Sequence, residues 1–214
     1  MKIAILGTGG FAREVATLIQ DINNTDSKYE LVGFVDNSIE KGTLINGYPV
    51  IGNDEEINQT NEPIGLVLAF GEPKIKMKVR SKFTNPLVSF PTIIHPSAIV
   101  GDCKLVEIGD GCIICASVII TTNIKIKDFV TLNLQCTVGH DTIIDSYSSF
   151  MPSCNISGEV HIGEGVYCGT GVKIINQTDI GERSIIGAGA VVAKSIPAYC
   201  TAVGVPAKPI KFHY

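Results

Sequence analysis

Tryptophan is absent from the 214-residue chain, aromatic residues make up only 7% of it, and charged residues only 18%. Its core must therefore rest on aliphatic and small side chains rather than on large rings. No run of eighteen apolar residues occurs, so no segment is a candidate membrane span. A basic excess is missing too. The net charge is -4, which argues against a nucleic-acid surface. Met1-Lys2 leads straight into an apolar segment with no A-x-A-like cleavage site after it, and a secretory leader is not expected. Seven cysteines, an odd number, suit a reducing cytoplasm better than a disulfide framework.

What the chain does have is a period. Stepping by six from Ile108 to Val192 lands on fifteen residues, all apolar: Ile108, Ile114, Ile120, Ile126, Leu132 and onward to Ile186 and Val192. Four residues after each step sits a small or β-branched residue, among them Cys112, Val118, Val130, Cys136, Thr142, Ser148 and Cys154. Glycine often follows the apolar step directly, as at Gly109, Gly139, Gly163 and Gly187. A helix repeats its apolar face every three or four residues and a strand every two, so a strict six fits neither. It fits a solenoid, in which each hexapeptide is a short strand plus a corner and stacked coils bury what one repeat cannot. The phase slips by two residues at Glu107-Ile108, which predicts a bulge or small insertion at a corner there.

Residues 1–83 read differently. Lys2-Ile-Ala-Ile-Leu6 is a buried parallel strand, Gly7-Thr8-Gly9-Gly10 a glycine turn, and residues 11–22 a helix with Val15, Leu18 and Ile19 on its apolar side. Such a turn lets backbone N–H groups approach a phosphate, although G-x-G-G lacks the full dinucleotide spacing and serves equally as a structural turn. Residues 29–35 form a second strand ending at Asp36-Asn37, residues 64–70 a third ending at Gly71, and residues 73–83 a basic helix. These make a small Rossmann-like βαβ domain. Residues 84–93, with Pro86 and Pro91, read as a linker, and residues 94–214 as the solenoid with an extended C-terminal segment capping its last coil.

Of the four histidines, His140 falls beside a corner within Thr137-Val138-Gly139-His140-Asp141, pointing outward with an acidic neighbour. An exposed imidazole so placed can act as a base near neutral pH; it can also be an ordinary surface residue. His161 takes the ordinary reading. A zinc site is not expected, since His140 and His161 are 21 residues apart and no third histidine lies between Asn123 and Ala193.

The hexapeptide stretch resembles the hexapeptide-repeat acyltransferases, which implies a left-handed parallel β-helix of eighteen residues per coil. The whole chain is similar to the bacterial nucleotide-sugar N-acetyltransferase and sialic acid O-acetyltransferase family. The likeness rests on Gly7-Thr8-Gly9-Gly10, Ala69-Phe70-Gly71, Ile94-His95-Pro96-Ser97-Ala98, Gly139-His140-Asp141, Asn155-Ile156-Ser157-Gly158 and Gly204-Val205-Pro206-Ala207-Lys208. It implies His140 as general base and Asp141, where some relatives have Glu, as the carboxylate that raises its basicity. It also implies acetyl-CoA as donor, with contacts at Asn133, Ser149, Gly158, Thr170 and Ala188; Ser149 stands where some relatives have His. The nucleotide-linked sugar would lie on Gly9, Gly10, Phe11, Asp36, Asn37 and Gly71, Phe11 departing from the family's frequent His. A cytoplasmic homotrimer with active sites shared between subunits follows from the same likeness, with no metal. The expected activity is N-acetylation of a nucleotide-linked 4-amino-4,6-dideoxy sugar for a surface glycan. The alternatives are O-acetylation of sialic acid or a related sugar, and a non-catalytic assembly or sugar-binding module.

Overall fold

The computed structural model describes residues 1–213, and the chain divides into two units, one ending at Pro96 and one beginning at Ser97. In the first, β1 (Lys2–Leu6) leads through the glycine turn into α1 (Gly10–Thr25). Then come β2 (Glu30–Val35), the short β3 (Leu44–Ile45), β4 (Tyr48–Gly52) and α2 (Asp54–Asn58). β5 (Ile64–Leu68), α3 (Pro73–Arg80) and β6 (Val88–Ser89) complete it. The sheet order is β3-β4-β2-β1-β5-β6, parallel throughout except for the β3–β4 hairpin. Asn46 and Gly47, at φ 49° and 87°, close that hairpin in the paired left-handed conformations a two-residue loop needs. α1 buries Ala12, Val15, Ala16, Leu18, Ile19 and Ile22, an apolar stripe at helical spacing.

Several expected boundaries move. The strand expected over 64–70 ends at Leu68, and the helix expected over 73–83 ends at Arg80. That helix is not simply a solvated basic face, because Lys76 is only 1% exposed. Inside the segment read as a linker, Val88 and Ser89 pair in parallel with Ile64 and Gly65, so it contributes the sixth strand of the first sheet. α2 has no counterpart in the sequence reading. Its five residues are too few to carry a period, and its one local signal is the capping box between Asn53 and Glu56.

The second unit is the expected solenoid. Two-residue strands stack in parallel at eighteen-residue spacing: Ile113, Thr131, Ser149, Tyr167 and Ile185 on one face, Ile119, Thr137, Asn155, Lys173 and Val191 on the next, Lys125, Ile143, His161 and Asp179 on the third. Of the fifteen six-step positions all are buried but Ile108, which packs against the core partly buried. The small residues four further on are buried as well, and their hydroxyls find carbonyls: Ser148 Oγ donates to Gly163 O at 2.9 Å and Ser184 Oγ to Pro197 O at 2.7 Å. Burial pushes the Cys168 thiol well above its ordinary range, which makes it a small hydrophobe and not a nucleophile.

Corners also recur every six residues, each on a residue with positive φ, such as Ser117 (59°), Asn123 (55°), Phe129 (58°), Gln135 (60°), Asp141 (57°) and Tyr147 (64°). The insertion sits elsewhere than expected. Ile99 pairs with Ile119, twenty residues on, whereas Val106 pairs with Ile124 and Ile108 with Ile126 at eighteen. The two extra residues therefore lie upstream of Val106, in a turn where Leu105 N and Val106 N both donate to Asp102 O. Glu107-Ile108 are in register. At the far end Cys200–Val203 joins Ile185–Ile186 in parallel, and Lys208–Phe212 folds back antiparallel onto it to end the stack.

Candidate active site

The strand Thr137–Val138 turns at Gly139, and the next two residues are His140 and Asp141. Asp141 takes the left-handed corner conformation, which a short polar side chain tolerates well. There Asp141 Oδ2 lies 2.8 Å from His140 Nδ1. Against an ionised carboxylate the pairing requires hydrogen on Nδ1, so that a neutral ring carries its lone pair on Nε2, across from Asp141. The hydrogen bond from His140, then one from Asn123, holds the Asp141 carboxyl below its ordinary value, so it stays an anion. The His140 side chain is 56% exposed, open to a diffusing molecule.

One coil further on, Gly158 leaves room for the ring. A Cβ built there would lie 2.5 Å from His140 Cε1 and Nε2. Glu159 N donates to His140 O at 2.8 Å, tying the corner to the coil above. Asn123, one coil below, donates from Nδ2 to Asp141 Oδ1 at 3.1 Å. Asn123 was missed in the sequence; its signal is the eighteen-residue spacing from Asp141, legible only once the coil length is known.

The residues expected to hold acetyl-CoA fall in three places. Gly158 is on the His140 corner, following the strand Asn155–Ile156. Thr170 and Ala188 lie on a different corner, following Tyr167–Cys168 and Ile185–Ile186; both are exposed and stacked, with Gly189 N donating to Thr170 O at 2.8 Å. Asn133 follows Thr131–Leu132 on that second corner, almost buried, its Oδ1 accepting from Leu134 N. Ser149 is fully buried within Ser149–Phe150, so its hydroxyl is not presented to the surface. One chain alone thus gathers His140, Asp141, Asn123 and Gly158, but not Thr170 and Ala188 with them. The other histidines have structural partners: His161 Nε2 is 3.1 Å from Asp145, His95 Nε2 3.2 Å from Asp21, and His213 Nε2 2.9 Å from Thr201 Oγ1. Among the described residues, no group of three or more His, Cys, Asp and Glu is placed to hold a metal, and no helix is long and apolar enough to cross a membrane.

In the first unit, registers Leu6–Val35, Leu6–Leu68 and Val35–Gly52 align the carboxyl ends of β1, β2, β5 and β4 on one edge. Gly9, Gly10, Phe11, Asp36, Asn37 and Gly71 all follow those ends, where ligands of open α/β sheets gather. Gly9 caps α1 without a side-chain hydrogen bond, and no atom lies within 4 Å of a Cβ built on it, so the helix start is open to an anion. Thr8 Oγ1 donates to Asp36 Oδ2 at 2.8 Å, and Asp36 Oδ1 accepts from Ser38 N. Asn37 exchanges two hydrogen bonds with Asp54, which Lys82 also contacts at 2.5 Å. Beside them opens a cavity of about 450 Å³ lined by Asn37, Asn53, Asp54, Glu55, Asn58 and Lys82.

Comparison with known proteins covers both units. The model of the PglD N-terminal domain family matches residues 2–83. The GDP-perosamine N-acetyltransferase of Escherichia coli O157:H7 is 34% identical over 215 residues, spanning 97% of this chain and 95% of that one. The acetyltransferase domain of PglB from Neisseria gonorrhoeae FA1090, solved in complex with acetyl coenzyme A, superposes with a TM-score of 0.87 at 32% identity, covering 98% of each chain. PerB from Caulobacter crescentus, solved in complex with CoA and GDP-perosamine, superposes with a TM-score of 0.85 at 28% identity, covering 99% of this chain and 98% of that one.

Proposed function

Because the chain belongs to the hexapeptide-repeat nucleotide-sugar N-acetyltransferases, we propose that it moves the acetyl group of acetyl-CoA onto the amine of a nucleotide-linked 4-amino-4,6-dideoxy sugar. A GDP-linked sugar of the perosamine type is the first acceptor to test, since one relative is named for that compound and another was solved in complex with it. The observation that carries this reading is the His140–Asp141 pair at 2.8 Å, standing over the room left by Gly158.

The chemistry is direct transfer. The acceptor nitrogen attacks the thioester carbonyl while His140 Nε2 removes a proton from it. A backbone N–H receives the oxyanion of the tetrahedral intermediate. Its collapse breaks the C–S bond, and the departing thiolate takes the proton from the imidazolium, leaving CoA and the amide. Asp141 stays ionised throughout and stabilises the imidazolium. The buried cysteines have no part in it. The sugar's nucleotide would lie at the start of α1, its phosphates on the free N–H groups of Gly10 and Phe11 and its sugar hydroxyls near Asp36, Asn37 and Gly71.

Asn133, Gly158, Thr170 and Ala188 are the proposed contacts for acetyl-CoA, with Ser149 contributing no exposed hydroxyl. Gly158 and the Thr170–Ala188 pair occupy different corners of one solenoid. A homotrimer, in which one subunit's His140 corner meets its neighbour's second corner, would unite them. A cytoplasmic enzyme serving a surface glycan fits seven cysteines outside any disulfide. The deciding assay follows CoA thiol release with GDP-, UDP- and dTDP-linked 4-amino sugars and sialic acid. Turnover of one amino sugar, reduced at least about a hundredfold in His140→Ala, is expected; turnover of sialic acid alone would overturn the N-acetyl reading.

A further inference from the structure

The left-handed corner residues one coil apart form a column: Asn123, Asp141, Glu159 and Gln177, at φ 55°, 57°, 56° and 59°. Each carboxylate in it is held by an amide, but in opposite directions. Asn123 Nδ2 reaches Asp141 Oδ1 at 3.1 Å from one coil below, and Gln177 Nε2 reaches Glu159 Oε2 at 2.9 Å from one coil above. The two neighbouring acids are drawn apart, and Asp141 keeps Oδ2 for His140 Nδ1. The charged groups around His140 on its own corner and the next coil are therefore Asp141, which bonds it, and Glu159, engaged by Gln177.

We propose that Asn123 is a positioning residue for the base: it anchors Asp141 Oδ1 so that Oδ2 fixes His140 in its Nδ1–H form with Nε2 facing the acceptor. This rests on the reading of His140 as general base. An exposed aspartate with one anchor can rotate about its side-chain torsions, and side-chain order lost there passes directly to the imidazole. Asparagine suits the task because it tolerates the left-handed backbone and presents a donor where the stacked aspartate presents an acceptor.

Asn123→Gly removes the amide without backbone strain at a positive φ. In the wild type, nitrogen-15 NMR of the free protein should find His140 in the Nδ1–H form, and in Asn123→Gly a mixture with the Nε2–H form. The same variant should lower kcat about tenfold with both KM values within about twofold. In an Asp141→Gly background it should cost nothing further, because its path to His140 is already gone. Gln177→Gly, an equal deletion in the same column, should keep wild-type kcat. The proposal is overturned by an unchanged His140 tautomer, by the same fold-loss in both backgrounds, or by an equal loss in Gln177→Gly. The tautomer is read without substrate, so failure of every amino sugar to turn over would count against the proposed activity and leave this test standing.

Discussion

At the scale of single residues, His140 depends on what its neighbours lack as much as on what they supply. A methyl group on Gly158 would occupy the space of the imidazole, 2.5 Å from its Cε1 and Nε2, and its three nearest atoms all belong to that ring. Gly158→Ala is therefore expected to push the ring off Asp141 and lower kcat about ten- to a hundredfold, with the thermal midpoint nearly unchanged; kinetics and calorimetry on one preparation check it. Asp141 makes a prediction about acid. Its folded-state carboxyl titrates below its ordinary value, first through His140 and then through Asn123. Its contribution to stability is thus present above the unfolded value and lost as pH falls through the depressed one. Asp141→Asn should flatten the fall of the unfolding midpoint with acid, and a slope equal to the wild type's would refute it. His140 and Asp141 were legible in the sequence because they adjoin each other. Asn123 was not, since its partner lies eighteen positions away and only stacking makes them neighbours.

At the scale of elements, coil stacking sets how closely backbones approach. A Cβ on Gly139 would sit 2.6 Å from Gly158 N and from Ser157 C, both main-chain atoms with nowhere to go. Gly139→Ala is expected to cost about 2–3 kcal/mol by chemical denaturation, in contrast to Gly158→Ala, which meets only a side chain. The solenoid could be read from its period because every six-step side chain faces one shared core. The first unit's smaller parts could not be. α2 spans five residues and β6 two, lengths at which no periodicity exists, and their place is fixed by tertiary pairing. The expected insertion at Glu107-Ile108 lies downstream of the real one because Val106 and Ile108 are both apolar and either could take the core step.

For the whole molecule, the proposed division of the acetyl-CoA contacts between two corners would make activity depend on assembly. Sedimentation at micromolar concentration should give a trimer, and a monomer that turned over substrate would refute the shared site. The chain's low aromatic content suits such a body. Among the described residues, Phe150 is the only phenylalanine in the solenoid's central cluster, which is otherwise aliphatic and small side chains.

The turn that carries the two extra residues has a further consequence. Pairing resumes at Val106 and Ile108 as though nothing had been added, because each strand takes its register from the coil beside it rather than from the count of residues before it. A lengthened corner is thus an error the next coil corrects. Such a body can try out new loops at its edges, one at a time, while the machinery at another corner keeps its aim.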